Sequence, residues 1–150
     1  MTSVDEKTHR ILIVDDMPTV RLILRGMLEP HSLGEIEEAE DGESALQAIR
    51  EALRSRDAKP FTLVIADLNM PGMSGADLLR VLRSESRLKE LRFIMVTAQS
   101  AQAVVADAWQ SDVDDFVVKP FTAEDLAEKV RAVLREDRKT LPGNRQDLSG

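Results

Sequence analysis

The chain alternates short, continuous apolar runs with longer stretches in which apolar residues recur every three or four positions. The runs are Ile11-Leu12-Ile13-Val14, Phe61-Thr62-Leu63-Val64-Ile65-Ala66, Phe93-Ile94-Met95-Val96 and Phe116-Val117-Val118, with a weaker one at Glu35–Ala39. Runs of Val, Ile and Leu bounded by charge predict strands buried on both faces, as in a parallel sheet. Between them, Val20, Ile23, Leu24, Met27 and Leu28 follow the spacing of an amphipathic helix. Ala45, Leu46, Ile49 and Leu53 mark a second helix, and Leu78, Leu79 and Leu82 a third. Ala101, Val104, Val105 and Ala108 mark a fourth, and Leu126, Val130, Val133 and Leu134 a fifth. Pro18 suits a first helical position. Asp41, Ser74 and Thr122 read as N-caps, and Asp77 and Asp125 stand three residues after the last two, the spacing of a capping box.

The order is (βα)5. Short connections imply right-handed crossovers and a parallel sheet covered by helices on both faces. Five such strands predict the flavodoxin-like α/β arrangement with strand order 2-1-3-4-5. The periodic pattern fails after Leu134. The expected organisation is an N-terminal extension over 1–9, one domain over 10–134 and a polar, frayed tail over 135–150 that contains Pro142-Gly143.

Composition removes several classes of chemistry. At 150 residues, with 43% apolar and 31% charged types, the chain is an ordinary single domain. It contains no cysteine, which excludes disulfides, thiolate metal sites and cysteine nucleophiles. Its two histidines, His9 and His31, do not make a multi-histidine metal site. A net charge of −7 argues against direct nucleic-acid binding. No apolar run approaches the roughly 18 residues of a membrane span, and the first ten residues lack the apolar stretch of a signal peptide. The expected location is the cytoplasm.

In a sheet of this kind, ligands bind beyond the carboxyl ends of the strands. Strand 1 ends at Asp15-Asp16, strand 3 at Asp67, strand 4 at Thr97 and strand 5 at Lys119-Pro120. Three carboxylates, a hydroxyl and an amine are therefore expected at one rim. Three close carboxylates need a cation to stay ionised, and oxygen ligands without sulfur or imidazole suit Mg²⁺ or Mn²⁺. A metal and a lysine together offset the charge of a transferring phosphoryl group. Asp67 stands alone before the Pro- and Gly-containing loop Leu68–Gly75, which makes it the candidate nucleophile; the adjacent Asp15 and Asp16 fit better as metal ligands.

These residues resemble the receiver domain of two-component response regulators. The segments that carry the likeness are Ile11–Asp16, Glu38–Gly42, Leu63–Gly75, Met95–Ala98 and Asp115–Phe121. The resemblance implies that Asp67 accepts a phosphoryl group from a histidine kinase, with Thr97 and Lys119 contacting that group. It implies Mg²⁺ held by Asp16, by Asp67 and by the backbone carbonyl of Asn69, with Asp15 acting mainly through water. It also implies a cis peptide before Pro120. Switching in such domains moves the Thr97 position and an aromatic on strand 5, here Phe116, which lacks the hydroxyl of the family's frequent tyrosine. The change reaches the face made by helix 4, strand 5 and helix 5. Asp112 stands where the family commonly has glycine, and aspartate tolerates a left-handed backbone better than most residues. Trp109 admits two readings, a core residue or an anchor on the output face. Asn69 and Gln99 flank the expected path of the hydrolytic water.

Within the family, Glu38–Gly42, Asn69–Pro71 and Phe116–Ala123 look most like the chemotaxis-type, CheY-like single-domain regulators. Such proteins bind a target, the flagellar motor switch among them, in a phosphorylation-dependent way, and catalyse nothing beyond their own phosphorylation and dephosphorylation. The alternative is a receiver domain cut from a larger regulator with a DNA-binding or enzymatic output domain. An aspartate-based phosphatase would carry a second aspartate two residues after the nucleophile, where Asn69 stands.

Overall fold

The computed structural model describes residues 9–135. Arg135, the first residue of the expected tail, instead ends the last helix; the rest of that tail, 136–150, and residues 1–8 of the expected N-terminal extension lie outside the described residues. The strands are β1 (Arg10–Val14), β2 (Glu35–Ala39), β3 (Leu63–Asp67), β4 (Arg92–Thr97) and β5 (Asp115–Val118). The helices are α1 (Pro18–Leu28), α2 (Gly42–Arg54), α3 (Gly75–Ser84), α4 (Ala101–Val105) and α5 (Ala123–Arg135). One parallel sheet runs β2-β1-β3-β4-β5, with Ile13 opposite Ile65, Ile65 opposite Ile94 and Val96 opposite Val117. This is the flavodoxin-like order expected.

Strand side chains alternate between faces, and the sheet divides two apolar layers accordingly. Leu12, Val14, Val64, Ala66, Phe93 and Met95 point to one side, against Ala45 and Ile49 of α2 and Leu78, Leu79 and Leu82 of α3. Ile11, Ile13, Leu63, Ile65, Ile94 and Val96 point to the other, against Leu24 and Leu28 of α1 and Leu126, Val130 and Val133 of α5. The middles of β1, β3 and β4 are apolar because both of their faces are covered. β2 is the exception. As an edge strand it carries Glu35, Glu37 and Glu38, which pair with Lys59, with Arg10, and with Arg21 and Arg25. The three predicted caps form. Asp41 accepts the Ser44 N–H at 2.7 Å. Ser74 with Asp77, and Thr122 with Asp125, exchange reciprocal bonds at 3.0–3.2 Å.

Expectations at three places in the chain need correction. Ile23 belongs to the predicted apolar stripe of α1 but is 51% exposed. The fourth helix stops at Val105; Asp107 is extended, and a 3-10 turn follows over Ala108–Asp112. This break leaves Val105 66% exposed and turns Trp109 inward. Trp109 is 8% exposed and packs in the layer that holds Leu79 and Val113, so the output-anchor reading is wrong. A tryptophan ring gains more from leaving water than two valine methyls lose by staying in it. Its emission, the only tryptophan signal in the chain, should lie blue of free tryptophan and resist iodide quenching; a solvent-like spectrum would contradict this packing. Third, Asp112 closes the 3-10 turn and is not left-handed; Ser32 is the only non-glycine with positive φ among the described residues.

Candidate functional site

Four strand ends bring the predicted residues to one rim. Asp67 closes β3 and its side chain is 13% exposed. The ammonium of Lys119, just after β5, lies 3.0 Å from Asp67 Oδ1. Asp67 Oδ2 accepts the Asn69 N–H at 3.1 Å. Both oxygens are therefore oriented before any ligand arrives. Lys119 is placed by its own backbone, which donates to the Thr97 carbonyl at 2.8 Å, and the following Lys119–Pro120 peptide is cis, as expected. Thr97 closes β4 and is buried; its Oγ1 accepts the Gln99 N–H at 3.0 Å. The Gln99 Oε1 is buried without a hydrogen-bond partner among the described residues. Phe116 is half-buried on β5, packed against the α2–α3 layer, with the Lys129 ammonium 5.9 Å from its ring centre.

The two neighbouring aspartates differ sharply. Asp16 is exposed. Asp15 is 3% exposed and its Oδ1 accepts the Met17 N–H at 2.9 Å. Burial pushes the Asp15 carboxyl above the usual carboxylate range, and the Asp67 and Asp16 carboxylates add to this. The Met17 N–H and the Lys119 ammonium pull the other way. Asp15 thus feels both other carboxylates, but no tight cluster of three or more metal-ligating side chains occurs among the described residues. The expected trio is looser than a closed cage. That donor set still fits Mg²⁺, which takes one or two carboxylates and fills its shell with water and phosphate oxygens.

The raised carboxyl has a consequence for stability. A native acid group with a pKa above its unfolded value binds protons more tightly when folded. Stability therefore falls as pH rises from the unfolded value through the native one, and the cost is complete above the native value. Asp15→Asn should raise the melting temperature by a few degrees in EDTA at pH 7, because the amide can still accept from Met17. The advantage should shrink in acid, where the parent protonates. Equal melting curves at pH 7 would refute the account.

Sequence reading missed a second polar assembly. Asp114, buried before β5, accepts the Phe93 N–H at 2.8 Å and donates its own N–H to the Phe93 carbonyl at 2.9 Å. Arg83 of α3 stands 3.5 Å from the same carboxylate and also reaches the Leu91 and Asp112 carbonyls. This joins α3, β4 and the start of β5 below the rim. Its one signal was the Asp114-Asp115 pair placed against the apolar run Phe116–Val118.

A doubly wound sheet with an aspartate–lysine pair at its carboxyl rim defines a receiver-type domain. The chain belongs to the response regulator receiver domain family, whose pattern matches residues 11–131. It is 40% identical over 125 residues to the chemotaxis protein CheY of Pseudomonas aeruginosa, which covers 83% of this chain and 95% of that one. It is 38% identical over 134 residues to CheY-3 of Vibrio cholerae, covering 89% and 98%. Among solved structures, the response regulator TrrA of Thermotoga maritima, in complex with Mg²⁺–BeF, matches with a TM-score of 0.71 at 35% identity, over 84% of this chain and 99% of that one. The protein is thus a CheY-like receiver of two-component signalling.

Proposed function

We propose that the protein is a phosphorylation-controlled interaction module whose acceptor is Asp67, charged by a histidine kinase. The observation that carries this reading is the Lys119 ammonium 3.0 Å from Asp67 Oδ1. A carboxylate oxygen of Asp67 attacks the phosphorus of a phosphohistidine; the P–N bond breaks and its electron pair returns to the imidazole. Lys119 then pairs with a phosphoryl oxygen, and the Thr97 hydroxyl, now bonded to Gln99, turns to another. Asp16, Asp67 and the Asn69 carbonyl would hold Mg²⁺, with Asp15 acting through water. Bound Mg²⁺ offsets charge on the phosphoryl oxygens. Water later cleaves the acyl phosphate. The chain performs no other catalysis.

The output is a change in partner binding at the α4–β5–α5 face. The chemotaxis names of the relatives support a role in chemotaxis, and within that reading the target is a flagellar motor switch protein and the location the cytoplasm. No described helix is long and apolar enough to cross a membrane. The test immobilises a purified motor switch protein and measures binding with and without beryllofluoride and Mg²⁺. Binding enhanced by beryllofluoride supports the chemotaxis reading; equal binding in both states removes it.

A further inference from the structure

Arg21 of α1 contributes no ligand to the rim, yet its guanidinium bridges two of the rim's supports. Nη1 donates to the backbone carbonyl of Asp15 at 2.6 Å, and Nε donates to Glu38 Oε1 at 3.0 Å. The side chain is 15% exposed. The second oxygen of Glu38 accepts from Arg25 Nε at 2.7 Å, and Arg25 Nη2 donates to the Ile36 carbonyl at 3.0 Å. Arg21 thereby ties edge strand β2 to the residue that follows β1, and Arg25 ties α1 to β2 alone. The carbonyl that Arg21 grips belongs to the planar peptide linking Asp15 to Asp16. Fixing that carbonyl fixes the peptide plane, and with it the direction in which Asp16 leaves the backbone.

We propose that Arg21 is a positioning residue for the divalent-cation site, setting the pose of Asp16 by holding the Asp15–Asp16 peptide. This rests on the reading of Asp16 as a cation ligand. Two effects of deleting Arg21 oppose each other. Loss of a positive charge beside an acidic rim strengthens Mg²⁺ binding, whereas loss of the peptide restraint weakens it. Groups that orient metal ligands typically matter by about 10- to 100-fold in metal affinity, while an exposed ion pair contributes little. The sign of the change therefore separates positioning from simple electrostatics, and a purely structural role would move the melting temperature alone.

The experiment is calorimetric titration of the full chain with MgCl2, without phosphodonor, for the parent, Arg21→Ala and Arg21→Lys, each checked by circular dichroism. Arg21→Ala should bind Mg²⁺ about 10-fold or more weakly than the parent. Arg21→Lys keeps the charge but loses the forked grip on Asp15 and Glu38, and should also bind more weakly; it decides the matter if Arg21→Ala does not fold. Unchanged or tighter binding in the folded variants overturns the role of Arg21 while leaving the cation site intact. A parent that binds no Mg²⁺ removes the site reading and this inference together.

Discussion

Incubated with Mg²⁺ and a small phosphodonor such as acetyl phosphate, the parent is expected to gain one phosphoryl group in intact mass, and Asp67→Asn none. The substitution is nearly isosteric. Its amide oxygen can accept from Lys119, and nothing about the half-buried position at the end of β3 requires a charge for folding. The amide, however, is not the nucleophile that an ionised carboxylate is, so labelling should vanish while the far-ultraviolet spectrum stays put. Labelling of Asp67→Asn to the parent's level would move the acceptor to Asp15 or Asp16. That would break the link between the lysine contact and the chemistry.

The second large effect concerns folding. Gly75→Ala should lower stability by about 3 kcal/mol, near the upper end for overpacking, as read from urea unfolding. A Cβ there would stand 2.5 Å from the Asp67 carbonyl oxygen, 2.8 Å from Met95 Sδ and 3.0 Å from Leu68 Cα. Two of those three neighbours are backbone and cannot swing away. The Gly75 N–H also bonds the Leu68 carbonyl at 2.9 Å, pulling the start of α3 against the end of β3. The same strain would push on the residue that carries the acceptor, so phosphoryl uptake should slow as well. An alanine variant as stable as the parent would show that α3 can slide outward at no cost.

This glycine illustrates what a sequence conceals. In the chain it looks like half of a yielding Pro–Gly loop. In the fold, only Gly72, with φ +73, uses glycine's conformational freedom there, and Gly75 is present because two backbones touch. The parallel strands were legible because the covered middle of a strand must be apolar on both faces. The rim residues were legible because the topology sends every strand's carboxyl end to one side. The end of α4 was not: the spacing of Ala101, Val104, Val105 and Ala108 continues past the break, and only the bulk of Trp109 decides which of two apolar groups turns inward. Arg21 and Asp114 were also hidden. Their roles depend on Glu38 and Phe93, partners 17 and 21 residues away, and no local pattern names such partners.

The acidic outer strand carries a consequence for crowded solutions. Open sheet margins invite a second chain to add itself, and natural proteins blunt them with charge. Here Glu35, Glu37 and Glu38 line that margin, each neutralised locally by its own arginine or lysine. A neighbouring molecule would have to dismantle those pairs and bring like charges into register before gaining a single ladder bond. The charged margin therefore opposes the templating of fibrils along β2.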